Sequence, residues 1–197
     1  MAKVKSLINS CVKGINTDGL RELKAGYDSL LLANLFPKLP ADDEIFAMIQ
    51  YLKRKGIDTT IRIGPYEHIT PFEAANRIAS DLVIINGLLQ VIDIGKIQED
   101  SIFTVRLGTR HENEKGDFSI VSNENVFEGE AFNVAPSFYK AKLNKTLNKW
   151  RKLKKEKNLQ LNYILVNAEV TINSDEDRLR NEGIQLIGVK NWADPIK

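Results

Sequence analysis

The chain has 197 residues, 43% of them hydrophobic, a size and composition able to bury one core without disulfides or a structural metal. A lone cysteine, Cys11, rules out an internal disulfide, and with only two histidines it leaves almost no room for a cysteine/histidine zinc site, so the cytoplasm is the expected compartment. Net charge is only +2, which by itself selects neither nucleic acid nor a membrane surface as partner.

In chain order, the first third reads helical. Apolar positions Val4, Leu7, Ile8 and Val12, then Leu20, Leu23, Tyr27, Leu30, Leu31 and Leu35, recur at helical spacing until Pro37 and Pro40 break the pattern. The N-terminal residues carry no export-signal pattern. Ala41 to Lys55 predicts another helix, with Asp42, Asp43 and Glu44 at its positive end and Lys53, Arg54 and Lys55 at its negative end. Asp58 to Ile63 suits a short strand before a Gly64-Pro65 turn.

Thr70-Pro71-Phe72-Glu73 predicts a helix start, with Thr70 as N-cap, Pro71 in the first turn and Glu73 reaching back as a capping box. The helix should run towards Ile94. Asn86-Gly87 between apolar runs would also suit a hairpin, but the apolar stripe from Phe72 to Ile92 favours the helix. Asn86, Gly87, Gln90 and Asp93 interrupt the longest apolar stretch, Leu82 to Ile94, so no span of a bilayer about 30 Å thick is expected.

From Ile102 the period changes to two, predicting strands over Ile102 to Thr109, Asp117 to Ser122 and Asn125 to Val134 as an antiparallel meander. Pro136-Ser137 opens a helix to about Asn158, Leu161 to Val166 reads as a buried strand, and Ser174 to Gly183 reads as a short capped helix before a last strand, Ile184 to Val189. The predicted order is α-β-β-β-α-β-α-β. One domain covers 1–197, with 1–69 as a mainly helical N-terminal extension and 70–190 as the α/β core.

The third meander strand carries Glu128-Gly129-Glu130, and alternation puts both glutamates on one face together with Phe132 and Val134. Carboxylates side by side on an apolar strand face repel unless a cation or proton compensates, and Mg²⁺ favours a few carboxylates plus waters. An aspartate opening one strand (Gly116-Asp117-Phe118), an acidic triplet in the next, then a helix and a strand resemble the PD-(D/E)xK nuclease core. The likeness covers roughly Thr70 to Val189, and Glu130 at the usual lysine position is similar to the E-x-E variant of some type II restriction endonucleases. In that variant an asparagine follows the triplet, as Asn133 does here, before a basic helix.

The resemblance implies a restriction-endonuclease-like mixed sheet flanked by helices. It makes Asp117 and Glu128 metal ligands, with the Gly129 carbonyl as a candidate third. Glu130 would orient or deprotonate the attacking water and count among the metal ligands, and Glu73 would join from the preceding helix. The register stays open: Glu130-Ala131-Phe132 is the alternative triplet, its lysine replaced by Lys140 or Lys142 from the next helix. That helix is basic, with nine lysines and arginines between Lys140 and Lys157 against Glu156 alone, where a solvated face is the ordinary explanation. Near a metal site, Ser137, Tyr139, Lys140, Lys142 and Lys145 could instead hold DNA phosphates. His111 and His68 read as surface or structural residues. The implied activity is a Mg²⁺- or Mn²⁺-dependent endonuclease hydrolysing DNA, of restriction or defence type, with a homodimer to cut both strands. The alternative is a catalytically inactive nuclease-fold module that binds nucleic acid or a protein partner.

Overall fold

The computed structural model describes residues 5–6, 11–33, 45–53, 62–108, 115–170 and 173–190. In chain order the elements are β1 (Lys5–Ser6), β2 (Cys11–Ile15), α1 (Thr17–Ala33), α2 (Ile45–Lys53), β3 (Arg62–Ile63), β4 (Tyr66–Glu67) and α3 (Pro71–Asp93). They continue with β5 (Ile102–Arg106), β6 (Phe118–Ser122), β7 (Asn125–Phe132), α4 (Pro136–Lys157), β8 (Leu161–Asn167), α5 (Asn173–Asn181) and β9 (Gln185–Val189). From α3 onwards the succession is the expected one. The sheet is mixed and six-stranded, in the order β2-β5-β6-β7-β8-β9, antiparallel from β2 to β7 and parallel from β7 to β9. A small antiparallel sheet, β1-β4-β3, stands apart from it.

The N-terminal expectation needs correction. Val12 belongs to a strand, not a helix, because Cys11, Val12 and Lys13 pair with Arg106, Val105 and Thr104 of β5. The pairing breaks between Lys13 and Ile15, where Gly14 adopts a positive φ of 71° that a residue with a side chain rarely takes. Helical spacing does apply from Thr17. There the Asn16 side chain caps α1 by accepting the Gly19 amide at 2.9 Å. The expected boundaries at 41–44, 54–61 and 109–114, and with them His111, lie outside the described residues.

Helices cover both faces of the sheet. On one, α1 and α3 bury Leu20, Tyr27, Val83, Ile85 and Leu88 against Phe103, Val105, Phe118, Ile120 and Leu165. On the other, Tyr139, Leu143, Leu147 and Trp150 of α4 and Leu179 of α5 meet Phe132, Ile164, Val166 and Leu186. The α4 helix begins at Pro136 and stops at Asn158, whose left-handed φ of 55° ends it. By length and composition α3 could cross a membrane, yet half of its most apolar window is buried inside the fold.

Thr70 caps α3 by accepting the Glu73 amide at 3.1 Å, but the Glu73 carboxylate pairs forward with Arg77 at 2.8 Å instead of closing a capping box. Asn86-Gly87 is helical, and Gly87 serves close approach. A Cβ there would stand 2.7 Å from Leu165 Cδ1 and 2.9 Å from Val189 Cγ2, so a larger residue would make the side chains of β8 and β9 give way. Gly87→Ala should therefore cost about 1–3 kcal/mol through overpacking, more than the helix propensity of alanine returns. Urea denaturation would show a lowered midpoint at constant m-value.

Candidate active site

The site is built where β6 begins beside the middle of β7. Gly116 and Gly129 make that approach possible: a Cβ on Gly116 would strike the Gly129 carbonyl, and a Cβ on Gly129 would strike the Phe118 ring. The close contact brings Asp117 against β7, where its Oδ2 accepts the Ala131 amide at 2.8 Å. Next along the strand, Glu130 is buried, and its Oε1 accepts from Lys149 Nζ at 2.7 Å and from Trp150 Nε1 at 2.8 Å. Burial pushes the Asp117 carboxyl well above the usual carboxylate range, and the neighbouring Glu130 charge pushes it further. The Ala131 amide, Lys142 and Lys149 pull the other way.

Asp117, Glu130, Ala131 and Lys142 line a cavity of about 460 Å³ together with Phe72, Glu73, Asn76, Arg77, Ser80 and Asp81 of α3. Lys142 reaches it from α4, with its Nζ 5.3 Å from the centroid of Phe132. Phe132 is the last residue of the alternative triplet Glu130-Ala131-Phe132, so the Lys142 ammonium lies over that end of it.

Glu128 goes elsewhere. Its Oε2 accepts the Gly116 amide at 3.1 Å and lies 3.8 Å from Arg106, which also donates to the Gly116 carbonyl at 3.0 Å and to Ser119 Oγ at 2.8 Å. The β7-β8 pairing shifts between Glu128 and Gly129, where the Glu128 amide turns to the Asn162 side chain at 3.2 Å. Both glutamates lie on the α4 face as alternation predicted, but Glu128 braces the turn carrying Asp117 and does not line the cavity.

The other expected residues divide similarly. Glu73 lines the cavity while paired with Arg77. Lys140 is held 2.6 Å from Asp175, on the α5 side of its helix. Ser137 and Lys145 are exposed on α4. Tyr139 is buried in the α4/α5 core, its hydroxyl pushed up to about 12 by burial and then by Asp175, so it presents nothing to a phosphate. Among the described residues no three histidine, cysteine, aspartate or glutamate side chains gather around one point. The acidic centre is the Asp117 and Glu130 pair.

Sequence reasoning missed Asp81, Arg106, Lys149 and Trp150. A signal for Lys149 existed, because it follows Lys142 by seven residues and so shares its helical face. Asp81 was visible as a lone acid inside an apolar helical stripe. Comparison with family models, with curated proteins and with solved structures finds no match to this chain.

Proposed function

We propose that the chain is a divalent-metal-dependent endonuclease hydrolysing DNA phosphodiester bonds, with Asp117, Glu130 and Lys142 at its centre and Glu73 beside them. One observation carries this reading: two carboxylates, one just before β6 and one on β7, line a cavity together with a lysine from the following helix. Hard oxygen donors from a repelling acidic pair suit Mg²⁺ or Mn²⁺, which binds through one or two carboxylates and keeps open positions for water and a phosphate oxygen. Bound there, such an ion would supply positive charge to the phosphate and lower the pKa of a water. Lys142 orients the attacking water and offsets the charge building on the phosphate, while Glu128 and Arg106 hold Asp117 in place. A second copy of the chain would serve the second strand of a duplex.

The inactive-module reading has its own support in the Lys149 to Glu130 pair at 2.7 Å, which neutralises the acid internally. Plasmid incubated with Mg²⁺ or Mn²⁺, with and without EDTA, separates the two. Metal-dependent nicking or linearisation supports the nuclease, and shifted but uncut DNA under every metal supports the module. Within the nuclease reading, Lys142→Ala should slow single-turnover cleavage by about a hundredfold or more, the scale of a lost proton-transfer or water-orienting group. Lys140→Ala should stay near wild type, and equal losses from the two would remove Lys142 from the centre.

A further inference from the structure

We infer that the cavity takes one unpaired nucleotide of a DNA strand, its base stacked on Phe72, so that the site prefers single-stranded or locally opened DNA over a fully paired duplex. The inference deepens the nuclease reading and rests on it for the identity of the ligand. The cavity is larger than a scissile phosphate requires. At about 460 Å³ it falls in the size class of small-molecule sites. Its α3 wall runs from Phe72 to Ile84, about 18 Å at about 1.5 Å per residue.

The chemistry along that wall is graded. At one end Phe72 keeps 48% of its surface open, and Lys53 Nζ stands 4.7 Å from its ring centroid. A single exposed phenylalanine is ordinary on a protein surface. This one lines the same cavity as the acidic pair, and its ring already meets a cation suited to a neighbouring phosphate. Asn76 and Ser80 follow at four-residue intervals on the same helical face. The Ser80 hydroxyl donates to the Asn76 carbonyl at 2.9 Å, which leaves its oxygen able to accept from a base edge, while an asparagine amide can both donate and accept. An aromatic platform followed by such groups matches a base and its edge. A base inside a duplex reaches neither until it leaves the stack.

Binding in EDTA tests the inference without chemistry, using labelled oligothymidylate and a blunt duplex of equal length. The single strand should bind more tightly. Phe72→Ala should weaken single-strand binding by about ten- to a hundredfold, the effect of losing one stacking platform, and leave duplex binding nearly unchanged, while Phe72→Trp keeps single-strand affinity. Equal affinity for both probes, or equal losses on both in Phe72→Ala, would overturn the inference. Because no cleavage is read, Phe72-dependent single-strand binding by a protein that never cuts would sustain it while the nuclease reading fails. Efficient cutting of intact duplex by Phe72→Ala would do the reverse.

Discussion

On the proposed nuclease reading Asp117→Asn should abolish cleavage, and on any reading it should make the metal-free protein more stable. Removing only the outer hydrogen-bond partner of a metal ligand costs about 10–100-fold, so loss of the ligand charge itself should exceed about a hundredfold. The stability gain follows from linkage. Burial and the Glu130 charge raise the folded carboxyl from 3.8 to about 7, so between those values the folded chain binds more protons than the unfolded one. Stability conferred by the protonated form is present at low pH and is lost as pH rises through that window. An amide does not titrate. The advantage of Asp117→Asn over wild type should open as pH rises from about 4 and be complete above about 7. Denaturation in EDTA at several pH values reads this directly. Added Mg²⁺ should stabilise wild type and not the variant, since only a folded site binds the ion. A variant that still cuts, or a stability difference flat with pH, would remove Asp117 from the acidic pair.

How much of this was legible depended on how local each determinant is. The α3 start was readable because Thr70 and Pro71 act within one turn, and the meander because β5, β6 and β7 are neighbours in both sequence and space. Strand β2 was not, since Cys11 finds its partner at Arg106, and no window of local spacing contains that pairing. Alternation placed Glu128 and Glu130 on one face, yet the shift in β7-β8 pairing and the reach of Arg106 decided which of them enters the cavity. The choice between Lys140 and Lys142 was open in the sequence but constrained by it. Residues two apart on a helix diverge by about 200°, so only one of the two could face the sheet's acidic pair. In the structure Lys140 pairs with Asp175 on α5, far along the chain, and Lys142 lines the cavity.

Asp81→Ala should be the most destabilising single change in the cavity wall. Its carboxylate is 1% exposed and accepts from three elements at once: Tyr27 of α1 at 2.7 Å, Tyr66 of β4, and the Gly108 amide just after β5 at 2.9 Å. Burial raises its pKa to about 6 despite these three bonds, each of which favours the charged form. Alanine would leave two buried hydroxyls and a half-buried amide without their acceptor at about 1–3 kcal/mol each, roughly 3–9 kcal/mol together. At about 2–4 °C per kcal/mol for a chain of this size, the melting temperature should fall by about 10 °C or more. Tyr66→Phe removes one donor and strands none, so its cost should be smaller. Gly108 is held tightly here, with a φ of 62° and no room for a Cβ beside Tyr66, and it lines the same cavity as Asp117. Losing Asp81 should therefore loosen the wall that faces the acidic pair and slow any cleavage even well below the melting temperature. Calorimetry and cleavage rates on Asp81→Ala and Tyr66→Phe would test both parts. If Asp81→Ala melts within a few degrees of wild type, the carboxylate does not hold these three elements together.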